Sequence, residues 1–331
     1  MTHIQLPVSK SIANRLLILQ AINGLPLFDV TEPNMPEDVR LMHDALLAIK
    51  RGEDQLMLDN CGTAMRFLTA FCAQLSGRTV SLDGNPRMRQ RPIAQLVDAL
   101  QAIGADIEYL GQNGFPPLKI RGKTLRQTVD VSAITLDSSQ FVSALLLIGL
   151  QVYTADNSPY IRMTRKIIAQ FPAVVLERDW SAAAFWYEYI ALHGGGLFLD
   201  ELRFSDLQGD QVVAELFRHF GVATYELPTG IRIVRENPPD DTPLQVSFRD
   251  CPDLYPAVAI TCRQMNVPLI ATDTDRLRYK ESDRLEAVQH LAAENDHRMA
   301  MALLAADLPC DDKACIAKSY PTFYQQLCRL P

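Results

Sequence analysis

Apolar residues recur along this chain at helical spacing, stop at a small turn, and give way to short runs that alternate like strands. Pro92 to Gly104 carries the helical pattern and Ala105 to Leu110 the strand after it. The pattern returns at Val212 to Gly221, followed by strands over Val222 to Leu227 and Ile231 to Val234. Similar helices are predicted to begin at Asp38, Tyr160, Ser282 and Tyr320. Helices alternating with strands over the whole length predict an α/β protein built from repeated units.

Polar motifs fall where several of these helices start. Arg278-Tyr279-Lys280-Glu281-Ser282-Asp283-Arg284 opens the helix that runs on as Leu285-Glu286-Ala287-Val288. A first turn ordinarily favours acids, because its backbone N–H groups and dipole are positive. Cations there point to an anionic ligand, with Lys280 and Arg284 to hold it and Glu281 free for proton transfer. Taken alone, the segment reads equally well as a solvated helix start. Four more segments weigh toward the ligand. In Pro7-Val8-Ser9-Lys10-Ser11-Ile12-Ala13-Asn14-Arg15 the lysine and arginine lie five residues apart, so Lys10 is expected in a loop before the helix. Asp59-Asn60-Cys61-Gly62-Thr63-Ala64-Met65-Arg66 offers Asn60 as a cap and Gly62 for close backbone approach. Gly84-Asn85-Pro86-Arg87-Met88-Arg89-Gln90-Arg91-Pro92 is rich in arginine, and Asn295-Asp296-His297-Arg298 sets another arginine at a helix start.

Composition narrows the class. With 331 residues and 48% hydrophobic content, the chain can bury two domain-sized cores. A net charge of −7 argues against nucleic acid or an acidic membrane surface as partner, although the motif segments are locally basic. Seven cysteines without framework spacing suggest reduced thiols and a cytoplasmic setting. The first residues lack the basic and apolar regions of a signal peptide, and Phe141 to Val152 is too short to span a membrane. Six scattered histidines give no metal-ligand spacing, so neither metal nor cofactor is expected.

Together with Asp137-Ser138-Ser139-Gln140-Phe141, Gln208-Gly209-Asp210, Cys251-Pro252-Asp253 and Ala314-Cys315-Ile316-Ala317-Lys318-Ser319-Tyr320-Pro321, these segments resemble the signature blocks of the 5-enolpyruvylshikimate-3-phosphate synthase (EPSP synthase) family, in the family's order. The resemblance implies an inside-out α/β barrel of two globular halves, each three βαβαββ units around inward-facing helices. The first half would be residues 11–178 and the second residues 1–10 plus 179–331, with the active site in the cleft between them. It implies transfer of the enolpyruvyl group of phosphoenolpyruvate to the 5-hydroxyl of shikimate 3-phosphate, on the way to chorismate and aromatic amino acids, by a monomer that glyphosate inhibits. Lys10, Ser11, Arg15, Ser138, Ser139, Gln140 and Tyr160 match positions that contact shikimate 3-phosphate. Gly62, Arg87, Arg284, Arg298 and Lys318 match positions around phosphoenolpyruvate. Asp253 matches the base for the attacking hydroxyl. Glu281 and Lys280 match the pair that exchanges protons with the methylene carbon, and Lys10 a position near the leaving phosphate.

Blander readings stand beside these. Asp253, Ser138 and Ser139 are good helix caps, Arg89 and Arg91 fit structural pairing with acids, and Cys61 suits a small core position. The rival readings are the related UDP-N-acetylglucosamine enolpyruvyl transferase, whose loop cysteine is absent between Ser81 and Arg91, and an inactive binding homologue. One departure is plain: Leu285 to Ala293 runs almost directly into Asn295-Asp296-His297-Arg298. Family members are longer, and similar shortening falls at Phe171-Pro172 and around Lys50 to Gln55. Joining helix to helix at Glu294 is expected to leave apolar faces uncovered.

Overall fold

The computed structural model describes residues 1–132 and 138–330. Contacts divide the chain into two compact units. An N-terminal unit comprises Ser11–Val30 and Asp38–Val175, and a C-terminal unit comprises Met1–Lys10, Thr31–Glu37 and Leu176–Pro331.

In the C-terminal unit, Thr2–Gln5 runs parallel to Gly196–Asp200, and Gly230–Arg235 and Val222–Leu227 continue the sheet antiparallel. The first strand is fastened by side chains far along the chain. Gln326 accepts from the Gln5 N–H at 2.8 Å, and the Tyr320 hydroxyl donates to the Gln5 carbonyl at 2.8 Å. The helix Trp180–His193 is apolar on almost every side, so it cannot face water and becomes the centre of this unit. Asp179 caps it, and Gly194 ends it at φ 79°. It packs against the helices Tyr255–Gln264 and His297–Ala305. Trp180 and Trp186 are fully buried, and truncating either would cost about 3–5 kcal/mol.

The N-terminal unit repeats the plan. Its sheet runs Gln55–Met57, Thr79–Asp83, Leu118–Arg121, Asp106–Tyr109, parallel for the first pair and antiparallel beyond. The buried helices Gly62–Ala73 and Ser139–Leu147 pack together in its core.

Each unit thus holds one complete βαβαββ copy, and the remaining copies are cut down. Thr128–Asp130 with Gln151–Tyr153, and Leu244–Ser247 with Leu269–Thr272, form parallel pairs without the expected hairpin among the described residues. The helices Lys10–Ile22 and Glu37–Arg51 have no strand between them. The shortened units expected from the abrupt joints in the sequence are these strand pairs and this strandless join. At the suspect joint, Leu291, Glu294 and Asn295 adopt positive φ and swing the chain directly from Arg284–His290 into His297–Ala305. Ala293 is buried there, and its N–H is held by Asp311 at 2.7 Å, so the joint itself is covered. Exposed apolar side chains lie on both kinds of sheet, at Tyr153 (58%) and Ile270 (47%) on the short ones and at Met57 (64%) on a four-stranded one.

Candidate active site

In the C-terminal unit, six charged residues from three separate segments meet. Arg284 is 1% exposed and donates Nη1 to Asp253 Oδ1 at 2.8 Å, Nε to Asp296 Oδ2 at 2.8 Å and Nη2 to Glu281 Oε2 at 3.2 Å. Lys280 reaches Asp253 Oδ1 at 3.2 Å, and Arg298 reaches its Oδ2 at 2.9 Å. Local structure sets these directions. Asp283 caps the helix Arg284–His290 by accepting from the Leu285 and Glu286 N–H groups. Lys280 and Glu281 therefore precede that helix rather than belonging to its first turn. Asp296 caps His297–Ala305, accepts from the Arg298 N–H at 2.9 Å, and with its other contacts anchors Arg284.

Asp253 does not act as a helix cap, because the helix Tyr255–Gln264 begins after Leu254. Burial would raise its carboxyl, but Arg298, Lys280 and Arg284 outweigh that and hold it well below the usual carboxylate range. Lys280 is lowered, chiefly by burial, while Arg284 is raised by its carboxylates against the cost of burial. Lys318 donates to the Asn295 carbonyl and side-chain oxygen at 3.2 and 3.0 Å. Lys10 opens the helix Lys10–Ile22, not a preceding loop, and is assigned to this unit while Ser11 belongs to the other. His297 is 1% exposed with neither ring nitrogen hydrogen-bonded, and burial, then Lys10 and Arg298, keep it neutral.

In the N-terminal unit the cations meet different company. Arg15 is 2% exposed and donates to Thr164 Oγ1 at 2.7 Å, the Ser11 carbonyl at 2.7 Å, Ser143 Oγ at 3.2 Å and the Tyr160 carbonyl at 3.3 Å. Its guanidinium lies 5.4 Å from the centre of the Phe67 ring, and burial lowers it to about 10. Ser138 caps Ser139–Leu147 by accepting from the Gln140 N–H, and Gln140 donates its side-chain amide to Thr63 at 3.0 Å. Asp137, beside them in sequence, lies outside the described residues.

Gly62 begins the helix Gly62–Ala73, capped by the Cys61 sulfur rather than by Asn60. A Cβ on Gly62 would stand 2.3 Å from Arg66 Nη1 and 2.6 Å from Arg91 Nη2, so only glycine lets both guanidiniums close over this backbone. Asn60 instead accepts from Arg91 through its carbonyl at 3.1 Å and side-chain oxygen at 3.3 Å. Arg91 and Arg66 are thus the arginines brought to Gly62, whereas Arg87 opens the turn Met88–Gln90 and is not among the atoms nearest to Gly62. Arg89 forms a two-point pair with Asp83, as a structural arginine would.

One unit gathers guanidiniums over the Gly62 backbone, and the other clamps a carboxylate between two buried arginines and the half-buried Lys280; on an α/β fold these are the groups of an enzyme for small anionic substrates, and no metal cluster lies among the described residues. No helix among them is long and apolar enough to cross a membrane. The EPSP synthase (3-phosphoshikimate 1-carboxyvinyltransferase) family model matches residues 47–178 and 172–291. A 3-phosphoshikimate 1-carboxyvinyltransferase of Bacteroides fragilis is 34% identical over 396 residues, covering 98% of this chain and 94% of that protein. One of Cellvibrio japonicus is 30% identical, covering 97% and 95%. The solved EPSP synthase of Acinetobacter baumannii has the same fold, with a TM-score of 0.68 at 19% identity over 99% of this chain and 95% of that one. The chain belongs to the EPSP synthase family. The matched stretch in the Bacteroides protein is longer than the 331 residues here, so that relative carries internal segments without counterparts in this chain.

Proposed function

We propose that this protein transfers the enolpyruvyl group of phosphoenolpyruvate to the 5-hydroxyl of shikimate 3-phosphate and releases phosphate. The observation that carries the reading is Asp253, a buried carboxylate gripped by Lys280, Arg284 and Arg298. Held that way it is a poor base. Polyanionic substrates would draw the cations onto their own carboxylate and phosphate groups, and Asp253, relieved of that field, would gain the basicity to take the hydroxyl proton. The hydroxyl oxygen then bonds to C2 of the donor while C3 gains a proton. Loss of phosphate and of one C3 proton completes the exchange. Glu281 and Lys280 serve C3, and Lys10 the departing phosphate.

Substrate contacts follow the same division. Lys10, Ser11, Arg15, Ser138, Ser139, Gln140 and Tyr160 hold shikimate 3-phosphate. Gly62, Arg87, Arg284, Arg298 and Lys318 hold the donor, and we add Arg91 because it closes over Gly62. Residues 11–178 and the two segments 1–10 and 179–331 act as the two functional halves, in a cytoplasmic monomer. A phosphate-release assay tests the reading: release should require both substrates together, and release with either alone, or with neither, would contradict it.

A further inference from the structure

Asp210 has no part in the roles above, yet it lies in the same charge cluster. It sits in the turn Gly209–Val212, is 4% exposed, and shares a hydrogen bond through Oδ2 with the Ser181 hydroxyl, while Oδ1 has no hydrogen-bond partner. Buried carboxyl oxygens are seldom left unpaired, because desolvation without a hydrogen bond is costly. The charged and titratable groups acting on Asp210 are Asp253 and Cys251 from the turn before Tyr255–Gln264, Asp179 at the cap of Trp180–His193, and Arg298 from His297–Ala305. Two carboxyls thus compete for one field of cations. Asp253 holds the cations directly, and Asp210 holds a hydroxyl.

We propose that Asp210 is a positioning residue for the transfer, acting through space on Asp253 to set how strongly Asp253 takes the proton of the attacking hydroxyl. The inference rests on the reading of Asp253 as the base. Burial and the neighbouring Asp253 push Asp210 up to about 7. Below that pH Asp210 is neutral and leaves Asp253 a weak base. Above it Asp210 is an anion, and a like charge nearby raises the proton affinity of Asp253. Turnover in the wild type should therefore climb through neutrality by more than ionisation of the substrates accounts for.

Asp210→Asn is neutral at every pH. The ratio of wild-type to Asp210→Asn kcat, measured at saturating substrates, should be small near about pH 6 and grow to about tenfold by about pH 8.5, corresponding to roughly one unit of lost basicity at Asp253. Asp210→Glu should restore part of the rise. A purely structural role gives a constant ratio, and a constant ratio overturns the proposal. If Asp210→Asn does not fold, Ser181→Ala serves instead. Without the hydroxyl that favours the Asp210 carboxylate, the rise should move to higher pH, and an unmoved profile counts against the idea. Asp253→Asn separates the two claims. If it retains near-normal turnover, the base assignment fails. If it is inactive while the Asp210→Asn ratio stays flat, only the role of Asp210 fails.

Discussion

Arg15 and Arg284 are both buried guanidiniums, but their surroundings are opposite. Arg284 is wrapped by Asp253, Glu281 and Asp296, and these carboxylates raise it against the cost of burial. Among the described residues the hydrogen bonds of Arg15 all end on neutral oxygens, and burial lowers it. A buried charge without a countercharge is kept at a cost and binds an incoming anion without first giving up a charged partner. A charge already paired must exchange a carboxylate for the substrate, and that exchange alters the carboxylate. The N-terminal unit is therefore suited to holding an anion, and the C-terminal unit to coupling anion binding to proton transfer.

The sharpest way to break this comparison is at Asp253. Asp253→Ala should lose a hundredfold or more in kcat, on the order expected for removing a general base, while calorimetry still registers shikimate 3-phosphate. Next is Arg15→Met, which should weaken shikimate 3-phosphate by roughly ten- to a hundredfold with a smaller change in kcat; a loss confined to kcat would assign Arg15 to the chemistry instead. Gly62→Ala places a methyl group against Arg66 and Arg91, so KM for phosphoenolpyruvate should rise by about tenfold, and glyphosate competing at that site should weaken with it. Glyphosate kinetics that do not compete with the donor would remove Gly62 from that pocket.

The smallest effect is on stability. Glu188 lies fully buried in Trp180–His193 with neither carboxyl oxygen hydrogen-bonded, and burial raises it well above the usual range. A raised folded-state pKa stabilises the protein fully only below the unfolded value, near 4.5, and that contribution is lost as pH rises toward the folded value. Glu188→Gln should remove this slope, so its unfolding free energy should gain on the wild type between about pH 5 and pH 8, by at most about 1.4 kcal/mol per pH unit, and its melting temperature should rise relative to the wild type over the same range. Parallel melting curves at all pH values would show that Glu188 is compensated in the folded state.

Much of the fold was legible because helical and alternating patterns are local. The helix and strand over Pro92 to Leu110, and the paired strands after Val212 to Gly221, appear as Ala94–Ala102, Asp106–Tyr109, Val222–Leu227 and Gly230–Arg235. The cut-down copies were legible only as joints, since absent hairpins leave no residues to read. The turn that covers the joint depends on Leu291, Glu294 and Asn295 accepting positive φ, which no glycine announces. At the site, the cap reading of Asp253 failed because its carboxylate is drawn to cations 27, 31 and 45 residues away in sequence. The place of Arg91 beside Gly62 is not legible in the sequence, because it depends on the sheet that pairs Gln55–Met57 with Thr79–Asp83. Asp210 gave no signal beyond its motif, since its meaning lies in a carboxyl neighbour 43 residues on.

The most direct test of the account follows phosphate release with shikimate 3-phosphate and phosphoenolpyruvate over wild-type protein and Asp253→Ala in parallel. Release that needs both substrates and falls a hundredfold or more in the variant is the expected result. A folded wild-type protein that binds both substrates but releases no phosphate, or an Asp253→Ala protein that turns over normally, would contradict it.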